Sequence, residues 1–362
     1  MPGERIYNFS AGPSVLPLSV LKRAAGEMTN YRGCGMSVME MSHRSRVYLS
    51  IFEETKADLK RLLSVPDTHE ILFMHGGATF QFSAVPLNLI GRTGYADYAV
   101  TGSFSAIAAE EARKYGVVRI AADTEASGHT TIPAQSELRV SGDASYFYYC
   151  ANNTIYGTEW KYVPDTGDVP VIADMSSNIL SVPLDISRFG VIFAGVQKNM
   201  APAGMAVVIA DRSLLDSQFP YTPKIMSYRA AVDADSMLNT PPCYTIYMLG
   251  LMLKWLEEQG GVEGMARIKS AKAKILYDFL DGSGLFRGCA AEAARSDMNV
   301  TFRTDGEELD AKFAKDAEAA GFANLKGHRK VGGMRASIYN AMPSEGVARL
   351  VDFMAKFERE NG

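Results

Sequence analysis

The sequence predicts an α/β fold: a large domain with a mostly parallel sheet flanked by helices, followed by a smaller α+β domain. Three observations carry that prediction. Between residues 70 and 210 short apolar strands alternate with helical stretches, the pattern of a parallel sheet whose crossovers are helices. Beyond Asn239-Thr240-Pro241-Pro242 the pattern changes to two long helices and then a few strands. Two consecutive apolar strands each lead to a single charged residue, Asp174 after the first and Lys198 after the second.

The elements follow in order. Residues 14–30 carry helical periodicity after Gly12-Pro13, with Val15, Leu18, Leu21, Ala25 and Met28 on one face. Residues 45–64 form a long amphipathic helix whose apolar face holds Ile51, Phe52, Leu59, Leu62 and Leu63. A short strand over 70–74 runs into His75-Gly76-Gly77-Ala78-Thr79, and a helix is expected over 80–89. A strand over 98–101, a helix from about 105 to 115 and a strand over 117–121 come next. The strand at 146–150 ends in Ala151-Asn152-Asn153-Thr154, and strands at 169–174, 191–195 and 206–210 complete the sheet. A helix over 244–259 stops at Gly260-Gly261, and a second spans 262–280. Strands at 297–303 and 334–339 surround a helix over 307–320, and a last helix covers roughly 344–359. The large domain is therefore placed at 1–260 and the small one at 261–362, with the N-terminal segment a candidate to pack on the small domain.

Composition narrows the function. With 47% hydrophobic and 22% charged residues the chain is that of an ordinary globular protein. A formal net charge of −4 gives no general attraction for nucleic acid or membrane, so any anionic ligand must be held by local clusters of cations. The N-terminal MPGERIYNFSAGP lacks a signal-peptide core, and no apolar run reaches membrane-spanning length. Cys34, Cys150, Cys243 and Cys289 are scattered, and the five histidines show no metal-ligand spacing, so no metal is expected. A reduced, cytoplasmic setting is the simplest expectation.

The two charged strand ends carry the chemistry. In a parallel sheet both open on the edge where ligands of α/β proteins bind, so Asp174 and Lys198 face one crevice. An apolar strand leading to one lysine suggests an amine held where water is scarce, a setting that favours the neutral, nucleophilic form needed for Schiff-base chemistry. Pyridoxal 5'-phosphate uses this pair, an aspartate on its ring nitrogen and a lysine on its aldehyde. Taken alone, Lys198 also fits a strand-end lysine that reaches solvent, and Asp174 also fits a helix cap. The turn Gly76-Gly77-Ala78-Thr79 offers small residues and a helix N-terminus to an anion such as a cofactor phosphate. It has neither the GxxxxGK[ST] nor the GxGxxG pattern, and a plain strand–helix turn fits it equally well.

Together, VIFAGVQKN around Lys198, the strand leading to Asp174, HGGATFQF at 75–82, NTPP at 239–242 and KGHRKVGGMRASIYN at 326–340 resemble the phosphoserine aminotransferase family. That family lies in class V of the fold-type I pyridoxal-phosphate transferases. NFSAGPSVLP at 8–17 and SVMEMSHR at 37–44 extend the likeness over nearly the whole chain. The resemblance implies that Lys198 forms the Schiff base, that Asp174 pairs with the ring nitrogen, and that Ala78, Thr79 and Gln197 bind the cofactor phosphate. It places Thr154 at the ring hydroxyl and Phe104 where the family often has a tryptophan stacked on the ring. Asn239 and Thr240 would reach the cofactor phosphate of the other subunit, so a homodimer with shared sites is implied.

For the substrates, the resemblance makes Arg335 the clamp for the α-carboxylate and Arg44 a second anion contact near the entrance of the site. His328 and Arg329 would read the substrate phosphate from the partner subunit. At Thr79 many members carry an arginine that contacts that phosphate. On the residues alone, Lys326–Lys330 also fits a solvated basic loop and Arg44 a surface arginine at a helix start. The implied reaction moves the amino group of L-glutamate onto 3-phosphohydroxypyruvate in L-serine biosynthesis, with a related role in pyridoxine biosynthesis often found in bacterial members. The alternatives are another class V enzyme acting on a small amino acid, either a different transaminase or a cysteine desulfurase. Desulfurases typically place a histidine before the lysine, where this chain has Gln197.

Overall fold

Residues 5–362 are described by the computed structural model. A seven-stranded sheet runs in the order His69–His75, Met205–Asp211, Val191–Gly195, Val171–Asp174, Phe147–Cys150, Tyr95–Val100, Val117–Asp123. Only Met205–Asp211 runs antiparallel to its neighbours. Its connection to Val191–Gly195, residues 196–204, is shorter than the dozen or so residues that a parallel crossover needs, so the chain must turn back. The other six strands share one direction and open their C-terminal ends on one edge. The three central strands, Phe147–Cys150, Val171–Asp174 and Val191–Gly195, are buried at every position. Helices cover both faces, which is why these strands read as continuous apolar runs instead of alternating ones.

Alternate residues of each strand serve opposite cores. Ile71, Phe73, Ile192, Val207 and Ile209 pack under the helices Arg46–Leu62 and Cys243–Glu258 through Phe52, Leu59, Leu249 and Leu253. Leu72, Met74, Ile172, Phe193 and Val208 face the helices Ala78–Leu89 and Ser103–Ala112. A third core lies in the C-terminal part, around Phe286, Phe302, Phe313 and Phe357. It is built on the antiparallel strands Arg287–Gly288, Asn299–Arg303 and Met334–Ser337. Phe9 and Val15 are buried in this third core, and Tyr7–Asn8 pairs in parallel with Phe322–Ala323. The helix Gly261–Gly282 serves two cores, with Val262 and Met265 in the first and Ala273, Leu276 and Leu280 in the third.

Every long element expected from the sequence is present, within a few residues at its ends. Not foreseen were the helix Tyr228–Asp233, the Tyr7–Asn8 pairing and a two-strand hairpin, Asn152–Asn153 with Thr158–Glu159. All three are short and owe their form to tertiary contacts, so no periodicity announces them. No helix among the described residues is long and apolar enough to cross a membrane.

The hairpin keys the N-terminal and C-terminal parts together. Asn152 Nδ2 donates to Ser177 Oγ at 2.7 Å and to Asn299 Oδ1 at 2.8 Å, and Asn299 Nδ2 donates to Ser337 Oγ at 2.9 Å. Gly157, at φ +74°, lies so close that a Cβ would sit 2.6 Å from Thr301 Oγ1 and 2.8 Å from the Asn299 carbonyl. Gly157→Ala adds a left-handed alanine to that clash and should destabilise the protein by about 1–3 kcal/mol. Urea unfolding measures this, and a variant as stable as the parent would show that the interface yields freely.

Candidate active site

Five parallel strand ends and two loops meet around a cavity of about 440 Å³. Its wall includes Gly76, Gly77, Ala78, Thr79, Phe104, Thr154, Asp174, Gln197, Lys198, His328 and Arg335. The strand His69–His75 delivers the glycine turn, where Gly76 and Gly77 take φ of +97° and +94°. The helix Ala78–Leu89 then starts with no side-chain cap, leaving its first N–H groups for another acceptor. A Cβ at Gly195 would sit 2.8 Å from Gln197 Oε1 and 3.3 Å from the Ala78 nitrogen. The missing side chain thus lets the Gln197 carboxamide lie beside the helix start. Backbone N–H groups, a hydroxyl and a carboxamide together make a cradle for an anion.

Asp174 ends its strand in the cavity floor, 4% exposed. Its Oδ1 accepts the Ser176 N–H at 2.9 Å. Burial pushes its pKa up, while the bonds from Ser176 and the charge of Lys198 work against that shift. A buried carboxylate so placed is matched by a cationic N–H on a ligand. Lys198 Nζ donates to Thr154 Oγ1 at 2.9 Å and stands 5.4 Å from the centre of the Phe104 ring. The dry pocket expected for Lys198 is corrected here: its side chain lines an open cavity and is half-buried, because the turn after Gly195 carries it off the strand end.

Arg335 sits on the strand Met334–Ser337 of the C-terminal part and points back to this cavity. Its Nη1 reaches the Thr154 carbonyl at 3.4 Å, and its Nε is buried with no partner. Burial lowers its pKa. A half-buried guanidinium with no carboxylate of its own is suited to hold an anion. Burial, then the nearby charges of Arg335, Arg329 and Lys330, likewise lower the His328 pKa.

The structure brings together Ala78, Thr79, Phe104, Thr154, Asp174, Gln197, Lys198, His328 and Arg335. Arg44, Asn239, Thr240 and Arg329 are exposed and lie off this wall. His328, which the resemblance supplies to a partner's site, lines the cavity of its own chain here. The cause is a tight return of the loop, in which Gly327 N–H donates to the Gly333 carbonyl at 2.8 Å and Gly332 N–H to the His328 carbonyl at 2.9 Å. Lys330 Nζ reaches Ser103 Oγ at 3.4 Å, next to Phe104.

Sequence reasoning missed a strap over Lys198. Ser14 N–H donates to the Gln197 carbonyl at 3.0 Å, and Ser14 Oγ donates to the Lys198 carbonyl. A Cβ on Gly12 would meet Lys198 Cγ at 3.4 Å. The only sequence signal was the run of small residues Ala11-Gly12-Pro13-Ser14, which points to close approach without saying to what. Ser176 and Asn152 were missed for the same reason, since each acts through a tertiary hydrogen bond.

These groups fit pyridoxal phosphate. An anion cradle, a flat ring on the wall, a buried carboxylate and an amine answer its phosphate, its ring, its ring nitrogen and its aldehyde. Lys198→Ala should keep the parent's thermal stability and lose covalent attachment. Borohydride treatment of the parent with pyridoxal phosphate should add the cofactor's mass to the peptide that holds Lys198, and modification elsewhere would overturn Lys198 as the attachment point.

The profile of the family described as aminotransferase class-V matches residues 6–350. The chain is 51% identical to a phosphoserine aminotransferase of Laribacter hongkongensis over 358 residues, 99% of each chain. It is 49% identical to one of Pseudomonas aeruginosa, again over 99% of each chain. Among solved structures, it is similar to phosphoserine aminotransferase from Bacillus circulans subsp. alkalophilus, with a TM-score of 0.98 and 46% identity over 99% of this chain and 100% of that one. It is also similar to pyridoxal-phosphate-bound phosphoserine aminotransferase from Trichomonas vaginalis, with a TM-score of 0.93 and 41% identity over 97% and 100% of the two chains.

Proposed function

The chain belongs to the class-V aminotransferases, and we propose that it moves the amino group of L-glutamate onto 3-phosphohydroxypyruvate, giving 2-oxoglutarate and O-phospho-L-serine. The observation that carries this reading is the Arg335 guanidinium, which has no carboxylate partner and faces the same cavity as Lys198 and Asp174. The protein is a pyridoxal-phosphate-dependent transaminase that serves L-serine biosynthesis in the cytoplasm. When bound, the cofactor supplies an aldehyde that condenses with amines and a protonated ring that takes up electrons from the substrate's α-carbon.

The residues divide the remaining work. Asp174 holds the ring nitrogen protonated, and its burial concentrates that interaction. The N–H groups of Ala78 and Thr79, with the Gln197 carboxamide, hold the phosphate. Phe104 would cover one face of the ring, and Thr154 Oγ1, which accepts from Lys198 Nζ, orients that amine. Once free, Lys198 Nζ is the base that takes the proton from the α-carbon of the amino acid. Arg335 grips the α-carboxylate that both amino acids share, placing the α-carbon within reach of Lys198. His328 faces the side chain of the substrate and reads its phosphate.

A desulfurase would need a reactive thiol in the site. Among the described residues the cavity's cysteine is Cys150, and burial pushes its thiol well above the ordinary range, so it stays protonated. That disfavours the desulfurase alternative.

The active enzyme is a homodimer in this reading, with Asn239, Thr240 and Arg329 serving the partner's site and Arg44 placed near its entrance. All four are exposed on the single chain. Two experiments test the assignment. Single-turnover absorbance should follow the half-reactions with L-glutamate and with O-phospho-L-serine separately. Arg335→Ala should weaken both by roughly 10- to 100-fold, the scale of one charge-assisted contact. Arg329→Ala should chiefly weaken the phosphoserine half, and equal losses in both halves would remove the basic loop as a phosphate reader. In the second experiment, Lys198→Ala and Arg329→Ala subunits are mixed under conditions of proven exchange. If Arg329 serves the neighbour, one site of each hybrid is whole and activity partly returns; no return would assign Arg329 to its own chain.

A further inference from the structure

Lys272 is buried outright, 0% exposed, in the middle of the helix Gly261–Gly282. No carboxylate lies within ion-pair distance of it among the described residues, in contrast to Lys269 one turn earlier, which lies 3.3 Å from Asp297 and 3.8 Å from Glu159. Instead its Nζ donates to three carbonyls of one turn: Tyr339 at 2.7 Å, Asn340 at 3.3 Å and Met342 at 2.9 Å. Burying an ammonium without a counter-ion is costly, and burial draws its pKa down to about 7. Three acceptors pull the other way, because a neutral amine has only two hydrogens to give. A core position that needed only volume would hold leucine or methionine.

The turn that Lys272 grips is attached to both ends of the site. Immediately before it comes the strand Met334–Ser337, which carries Arg335. Tyr339 donates through its hydroxyl to the Ala11 carbonyl at 2.7 Å, and so ties the turn to the strap over Lys198. The Asn340 N–H donates to Asn199 Oδ1 at 3.1 Å, and Asn199 is the next residue after Lys198. The Asn340 side chain also donates to the Leu180 carbonyl at 2.8 Å.

We propose that Lys272 is a positioning residue for transamination: by pinning the 339–342 turn, its ammonium fixes the Arg335 guanidinium relative to the Lys198 amine. The inference rests on Arg335 and Lys198 acting as described under the proposed function. It predicts a defect of one kind. Both amino acids present an α-carboxylate to Arg335 and an α-carbon to Lys198, so both should suffer equally when the pin is lost.

The test uses the holoenzyme and three variants. Lys272→Met keeps the volume and removes every donor, Lys272→Gln keeps two hydrogens, and Asn199→Ala leaves the ammonium in place but removes the side-chain acceptor that ties the turn to the residue after Lys198. Lys272→Met should raise the dissociation constants for L-glutamate and O-phospho-L-serine by the same factor, on the order of tenfold, as expected of a displacement below one ångström. Lys272→Gln should fall between it and the parent. Cofactor affinity should stay unchanged, and amide exchange over residues 335–343 should quicken. Asn199→Ala should give the same equal loss, so the proposal stays open to refutation even if Lys272→Met does not fold. Lower thermal stability with both substrate affinities intact would overturn it and leave Lys272 a structural residue; so would a loss confined to one substrate. If the parent failed to act on phosphoserine, the substrate assignment would fall. Amide exchange and glutamate affinity would still decide whether the pin exists.

Discussion

A carboxylate buried at a strand end, without a cation bonded to it, is the constraint on which the site depends. Asp174 is held by the backbone N–H and the side chain of Ser176, and burial works against its charge. Such a group is stable as an anion only if a positive partner arrives, and the cavity above it is where that partner must sit. The parallel sheet makes the arrangement available. Cys150, Asp174 and Gly195 end neighbouring strands on one edge, and the reversed strand Met205–Asp211 brings Gly204 back to the same edge. The glycine turn at 76–77 and the amine of Lys198 are thereby set around the carboxylate without any long loop having to be ordered.

Much of this was legible in the sequence, and the reason is period. Buried parallel strands are unbroken apolar runs, and the helices over them are amphipathic, so both announce themselves locally. The residues that end those strands, Asp174 and Lys198, stand out because each is a lone charge after an apolar run. What stayed hidden acts across the chain. Ser14 lies 184 positions from Lys198, and Asn152 lies 147 positions from Asn299; nothing in the neighbourhood of either announces its partner. Lys272 was hidden differently. In sequence it is one of several lysines on a helix, and only the fold shows that this one faces inward.

The cations of the site follow a division of labour. The chain carries a net charge of −4, so no broad field draws anions in. Arg335 is paired with no carboxylate, although the protein has 41 acidic residues, whereas Arg61, Arg229 and Arg295 each hold one. Keeping one guanidinium unpaired in a low-dielectric wall costs stability, and the buried polar interlock around Asn152 and Asn299 helps to offset it. The gain is a clamp whose desolvation has been met in advance, so a carboxylate that binds there displaces no internal rival.

Thr79 bears on the same point. An arginine at that position would bring a second cation to the cavity from the large domain; threonine brings a hydroxyl at the start of the Ala78–Leu89 helix. The charge needed to tell a phosphorylated oxo-acid from a plain one must then come from the 326–333 loop. That loop is shaped for the task by backbone bonds across its glycines, which turn His328 toward the cavity while Arg329 and Lys330 remain at the surface. Burial, and then the cations around it, lower the His328 pKa, which favours the neutral imidazole. On the proposed reading, discrimination therefore falls to His328 and Arg329 of this loop, since position 79 supplies no guanidinium.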